Sequence, residues 1–284
     1  MKAPSFAYAK PRSLDETFEL LARHGEGAKL LAGGQTLLAT LNMRLSSPAI
    51  LIDITGLPGL AGITTDGRTV RIGALTRHRE IERSPIVAAE LPLLAQAAPH
   101  IAHVAIRNAG TLGGSLAHAD PAAEWPGCCV ALDATLVLAS GKGERRVKAR
   151  EFFKGLFDTA LGAEELIVAV EFPVPGKGHR SAFLELARRH GDYAIVGVAA
   201  VAKASGGTLS EVALAFIGAG PTPMLARRAA AAVEGRAPAA ETIAAAQAAL
   251  AQDLAPTGDL NGSPATKLHL ARVLCGRALA QLAA

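Results

Sequence analysis

The run Arg107-Asn108-Ala109-Gly110-Thr111-Leu112-Gly113-Gly114-Ser115-Leu116 limits what this chain can fold into more than any other stretch. Its three glycines and two hydroxyl residues predict a turn-rich loop. Glycine carries no Cβ and tolerates positive φ, so such a loop can approach a ligand closely and turn backbone N–H groups toward an anion. Asp120 and Glu124 follow at once and add carboxylates that can accept from ligand hydroxyls. A second glycine pair lies far upstream in Ala32-Gly33-Gly34-Gln35-Thr36-Leu37, behind the apolar Leu30-Leu31. Two loops of this kind can hold a diphosphate between them with N–H groups and hydroxyls and no lysine. Neither has the G-x-G-x-x-G spacing or the lysine of a phosphate-binding loop, which argues against a Rossmann or nucleoside-triphosphatase site.

The chain's 284 residues suggest two or three subdomains around aliphatic, alanine-rich cores, since half the residues are hydrophobic and only 4% aromatic. A net charge of +4, scattered apart from 142–150, gives no dense basic face with stacking aromatics and excludes a nucleic-acid binder. Cys128, Cys129 and Cys275 have no metal-type spacing and point to free thiols in a reducing compartment, most simply the cytoplasm. No leader-like segment is visible, and the apolar window 193–202 is far short of the roughly 20 residues a bilayer demands. No membrane span is expected.

Periodicity divides the chain into three α+β modules. In 1–55, a strand at 6–8 precedes a helix opened by the capping box Ser13-Leu14-Asp15-Glu16. Strands at 29–32 and 49–54 flank the Gly33-Gly34 turn and a short helix. In 56–175, a strand at 69–73 is followed by helices at 76–83 and 91–103, the glycine loop, and a helix from Pro121 through Cys128 and Leu132. Val147, Phe152-Phe153 and 166–172 supply strands beside the one at 135–139. The Pro/Gly-rich 173–178 marks a boundary. In 176–284, strands at 181–187, 193–202 and 209–217 form a three-stranded antiparallel sheet, backed by helices at 224–233 and 240–254 and by one capped by Ser263 with Pro264 at its first position.

Several motifs have bland readings. His100-x-x-His103 and His118-x-Asp120 lack a third ligand at useful spacing, so helix surface or cofactor lining outranks a metal site. Cys128, Cys129 and Trp125 read as core. No G-x-S-x-G is present to make a nucleophile elbow.

Taken in order, Lys29-Leu30-Leu31-Ala32-Gly33-Gly34-Gln35-Thr36-Leu37, Ile106-Arg107-Asn108 with Gly110-Thr111-Leu112-Gly113-Gly114-Ser115, Ala117-His118-Ala119-Asp120-Pro121-Ala122-Ala123-Glu124-Trp125, and Arg188-Arg189-His190-Gly191-Asp192-Tyr193 resemble the FAD-binding medium subunit of molybdenum hydroxylases, the carbon monoxide dehydrogenase and xanthine dehydrogenase family. The resemblance implies a vanillyl-alcohol-oxidase/PCMH-type FAD-binding fold of two α+β subdomains, followed by a C-terminal flavoprotein domain of sheet plus helices. It implies non-covalent FAD, with Ala32 to Thr36 and Thr111 to Ser115 on the pyrophosphate and Leu31, Leu37, Asn108 and Gly110 at their edges. Asp120 and Glu124 would meet ribityl or ribose hydroxyls, and Tyr193 would lie beside the isoalloxazine. Valine at Gly113 or Gly114 would then block the cofactor by crowding the phosphate. The implied partners are a molybdenum-cofactor large subunit and an iron–sulfur small subunit, in a dimer of heterotrimers.

Gln35 stands where carbon monoxide dehydrogenases tend to have His, and Thr36 where many relatives have Ser. The three cysteines cannot hold the extra cluster of benzoyl-coenzyme-A-reducing relatives. A stand-alone flavin oxidoreductase of the same fold and a non-catalytic assembly subunit remain the alternatives. The first needs a proton donor and substrate-binding cations in the third module, where no clear set appears.

Overall fold

The computed structural model describes residues 2–284. The first layer comprises β1 (Ala7–Ala9), α1 (Leu14–His24), β2 (Ala28–Leu31), α2 (Leu37–Asn42) and β3 (Ile50–Asp53). Its three strands form a parallel sheet in the order β1-β3-β2. Ser13 caps α1 by accepting from the Glu16 N–H at 3.1 Å, but the Glu16 carboxylate reaches past it to the Arg12 N–H at 2.7 Å. Only half of the expected capping box therefore forms.

The second layer contains β4 (Ile63–Thr65), β5 (Thr69–Gly73), α3 (His78–Glu82), α4 (Pro85–Glu90), α5 (Pro92–Ala97), α6 (Val104–Arg107), α7 (Leu112–His118) and α8 (Glu124–Ala131). It continues through β6 (Thr135–Ser140), β7 (Gly143–Lys148), α9 (Ala149–Phe152), β8 (Phe153–Gly155), β9 (Asp158–Thr159) and β10 (Leu166–Pro173). The sheet is antiparallel with order β4-β5-β10-β6-β7, while β8 and β9 form a separate hairpin. The single helix expected over 91–103 is broken: Pro99 sits in a 3-10 turn after α5, and the chain bends at Ala102, φ +43°, before α6. Phe152 lies on a helix and not on a strand, and α4 and β4 are too short to show periodicity in the sequence.

The third layer consists of β11 (His179–Leu186), β12 (Val196–Ser205), β13 (Thr208–Ile217), β14 (Met224–Leu225), α10 (Arg227–Val233), α11 (Ala240–Asp253) and α12 (Pro264–Ala283). The sheet is antiparallel but four-stranded, a correction to the three expected. The added β14 is two residues long, too short to display a two-residue alternation. Ser263 caps α12 through the Thr266 N–H at 3.2 Å, with Pro264 at its start.

Alternation along the strands assigns side chains to separate cores. Leu136 and Leu138 of β6 face the helical side, while Val137 and Ala139 face the first layer. On β10 a register shift between Ile167 and Ala169 lets the consecutive Val168 and Ala169 face the same core. Every residue of α8 is buried, because the helix packs against β12 and β13 on one side and α5 and α7 on the other. Its core combines Trp125, Cys128 and Phe152 with Phe183, Ala199, Ala215 and Ile217 of the third layer. The opposite face of β12 and β13 packs on α10 and α12, and α11 packs in turn on those two helices.

Candidate functional site

The first glycine segment leaves the parallel sheet at Leu31, whose carbonyl accepts from the Ile54 N–H at 3.0 Å. Gly34 takes φ +71°, which favours glycine, and Gln35 Nε2 closes the turn on the Gly33 carbonyl at 2.9 Å. Among the described residues, the backbone N–H groups from Gly33 to Thr36 donate to no protein acceptor. Thr36 precedes α2 without capping it by its side chain, and Leu37 begins the helix. The result is a row of free donors in a glycine turn, the arrangement that binds an anion.

The second segment is not the loop that its glycines predict. Thr111 is the N-cap of α7 and accepts from the Gly114 N–H at 3.2 Å, so Gly113, Gly114 and Ser115 lie in the first helical turns. The N–H groups of Leu112 and Gly113 donate to the carbonyls of Thr76 and Ala74, at 3.0 and 2.8 Å. These bonds hold the helix start against the chain leaving β5 and outweigh glycine's poor helix propensity. A Cβ at Gly113 would lie 2.6 Å from the Ala74 Cβ, so the crowding there comes from the protein and not from a ligand. A Cβ at Gly114 would meet the Thr111 hydroxyl at 2.9 Å, with Ala32 next at 3.9 Å. The helix start is thus internally bonded, and the Ser115 hydroxyl, which has no protein partner among the described residues, is what it leaves free.

The two segments touch backbone to backbone. A Cβ at Gly33 would lie 2.5 Å from the Ala109 carbonyl oxygen and 2.7 Å from the Gly110 Cα. Gly110 is backed by His78, whose Nε2 lies 2.7 Å from where a Cβ would stand. The buried Trp125 indole donates to His78 Nδ1 at 2.9 Å, and burial, reinforced by the Arg107 charge, lowers the imidazole to about 4. His78 is therefore a neutral wedge behind the loop. Arg107 is buried as well, donating to the carbonyls of Ile101 and Ala102 at 3.0 and 2.8 Å and pairing with Glu82 at 3.1 Å. In the sequence Arg107 stands inside a motif with nothing to mark its role, and His78 has no spacing signal at all.

Asp120, Glu124 and Tyr193 converge on the first loop. Asp120 follows α7 and accepts from the Ala122 N–H at 2.8 Å, while Glu124 opens α8 and is 6% exposed. Tyr193 arrives from the third layer, 54% exposed, with its phenol against the Thr36 side chain. Partial burial and then the Asp120 and Glu124 charges raise its pKa, opposed by the nearby Thr36 hydroxyl. Burial first, then the Glu185 carboxylate, then Asp120, push Glu124 up to about 8. Gly191 at φ +89° fits this segment against Ala102 and His103. Asn108 is exposed, and no hydrogen bond ties it to the other candidates.

A row of N–H donors for a diphosphate, hydroxyls and carboxylates for sugar hydroxyls, and a phenol at the rim for a ring together fit a flavin dinucleotide. Among the described residues, no group of three His, Cys, Asp or Glu side chains is placed to hold a metal ion. No helix there is long and apolar enough to cross a membrane. All three cysteines are free and buried.

Residues 4–175 match the family model of the FAD binding domain in molybdopterin dehydrogenase, and residues 181–282 that of the CO dehydrogenase flavoprotein C-terminal domain. The chain is 41% identical to the 6-hydroxypseudooxynicotine dehydrogenase complex subunit alpha of Paenarthrobacter nicotinovorans, over 99% of this chain and 95% of that one. Its structure superposes on a chain of carbon monoxide dehydrogenase from Hydrogenophaga pseudoflava with TM-score 0.97 and 40% identity, covering 99% and 98% of the two chains. For a chain of quinoline 2-oxidoreductase from Pseudomonas putida 86 the values are TM-score 0.94, 38% identity, and 100% and 98% coverage. Fold and site define a flavoprotein subunit of the oxidoreductase class. The chain belongs to the FAD-binding medium subunits of the heteromeric molybdenum hydroxylases, the family that includes the carbon monoxide dehydrogenase medium chains.

Proposed function

We propose that this subunit takes electrons from an iron–sulfur small subunit, whose own source is a molybdenum-cofactor large subunit, and passes them to an acceptor. The assembly is a dimer of such heterotrimers in the cytoplasm. The observation that carries the reading is the row of unengaged N–H groups from Gly33 to Thr36 in backbone contact with Ala109 and Gly110. In this reading Ala32 to Thr36 take the pyrophosphate by N–H groups, and Thr111 to Ser115 complete its cradle with the Ser115 hydroxyl. Leu31, Leu37, Asn108 and Gly110 form its edges. Asp120 and Glu124 receive sugar or ribityl hydroxyls, and Tyr193 covers one face of the ring. FAD supplies the redox chemistry, while the chain's residues bind it, orient it and exclude water. Residues 1–55 and 56–175 act as the two FAD-binding subdomains and 176–284 as the C-terminal domain.

The substrates named for the relatives include a nicotine derivative, carbon monoxide and quinoline. Such variety across one subunit fold supports a role downstream of substrate oxidation. The test is an absorption spectrum of the purified chain, with the released chromophore identified by chromatography. FAD near one per chain, lost in folded Gly114→Val, is the expected result. A folded wild-type chain that neither carries nor takes up FAD would refute the cradle. Purification with tagged partners, assayed for molybdenum and iron, tests the assembly.

A further inference from the structure

His118 and Phe157 form an aromatic pair outside every core of the fold. On α7, Leu112, Gly113 and Leu116 are buried, while Gly114, Ser115 and His118 are only partly so. A Cβ at Gly114 would lie 3.9 Å from the Ala32 Cβ, so this side of α7 looks across at the first glycine turn. His118 stands four residues after Gly114 and three after Ser115, one turn further along the same side. Phe157 comes to it from the β8–β9 hairpin, with ring centroids 4.9 Å apart and planes at 33°. Gly155 pairs with Asp158, so Leu156 and Phe157 make up the hairpin tip. Phe157 takes φ +55°, a left-handed conformation in which a bulky side chain crowds its own backbone. Burial does not offset that strain, since Phe157 is 53% exposed and neither tip residue joins any of the apolar cores. Glycine would adopt the same φ readily.

We propose that Phe157, seated on His118, is a further cofactor-contacting residue. The pair forms an aromatic wall that continues the ligand side of α7 past Ser115 and shelters the ring end of the bound dinucleotide from water. The wall stands at the end of α7 from which Asp120 follows, whereas the Ser115 hydroxyl read as meeting the pyrophosphate lies a turn earlier. The turn at φ +55° and the His118 ring together set where Phe157 stands. An aromatic side chain suits the task, because it covers a large flat area and packs on other rings in offset or tilted contact. Strain of this kind persists where the side chain it positions has work at a ligand site. The inference rests on the FAD reading given above, adds the β8–β9 hairpin to the site, and gives His118 a lining role without a metal.

Phe157→Gly in the full chain tests the wall, because it separates strain from function. The variant relaxes the turn, so its urea midpoint should equal or exceed that of wild type. Its FAD dissociation constant, from flavin fluorescence titration, should nonetheless rise about three- to tenfold. Iodide should also quench the bound flavin more strongly. Phe157→Tyr keeps the ring and should bind FAD as wild type does, and Leu156→Ser, at the same tip, should do likewise. His118→Ala removes the seat of the ring and should shift affinity and quenching in the direction of Phe157→Gly. Equal FAD affinity and quenching in wild type and Phe157→Gly would overturn the wall alone and leave the cofactor reading standing. An equal loss in Leu156→Ser would overturn it too, by tracing the effect to the tip as a whole. A lowered urea midpoint in Phe157→Gly would make the residue structural and sink the proposal. A folded wild-type chain that takes up no FAD would sink the cofactor reading and the wall together.

Discussion

His78 reaches the folded state as a neutral imidazole that accepts from the Trp125 indole and backs Gly110. Its folded pKa of about 4 lies below the unfolded value of 6.5, so the unfolded chain binds the extra proton between the two. Its contribution is whole above pH 6.5 and is lost as the pH falls toward 4, amounting to about 3 kcal/mol. Urea unfolding at pH 7 and pH 4.5 should show this loss, and a His78→Gln chain, with no proton to gain there, should lose less over the same interval. Arg107 works by a different means, tying the bend at Ile101 and Ala102 to Glu82. Arg107→Met strands buried carbonyls and should cost about 3 kcal/mol in urea unfolding. Because Ala102 abuts Gly191, it should also loosen the Tyr193 segment and weaken FAD binding.

Among the elements, α7 separates two glycines that look equivalent in sequence. Gly113→Ala drives a methyl group into Ala74 and should destabilise the fold by about 1–3 kcal/mol, seen as a lower urea midpoint. Gly114→Ala presses on the Thr111 cap, with Ala32 of the first loop in ordinary contact at 3.9 Å, so its stability cost should be nearer about 1 kcal/mol, with FAD affinity the larger loss. The reverse order of effects would mean that the ligand side of α7 has been misassigned. The same helix marks the limit of what could be read from the sequence. Ser263-Pro264 announced α12 and Gly33-Gly34 announced a turn, because caps and turns are local chemistry. Thr111 was also a cap, but Gly113-Gly114 disguised it, since the packing on Ala74 that requires glycine there is tertiary. Tyr193 was legible only by resemblance, because it comes to the Thr36 side chain from the third layer.

For the molecule as a whole, the Pro/Gly-rich 173–178 separates strands but not cores, since α8 is buried between the second and third layers. A chain ending at residue 175 would expose the α8 face that packs on Ala199, Ala215 and Ile217 and would lose Tyr193. It should aggregate and bind no FAD, checked by light scattering and fluorescence titration beside the full chain. The burial of α8 also governs how such a subunit can be recombined. A chimera joined within 173–178 inherits half an interior from each parent, although the sequence invites the cut there. A junction after β3, in the turn before β4, exchanges the small parallel sheet and keeps α8 with the strands it was shaped against. Lineages that trade parts by recombination should therefore pass the second and third layers on as one inheritable block.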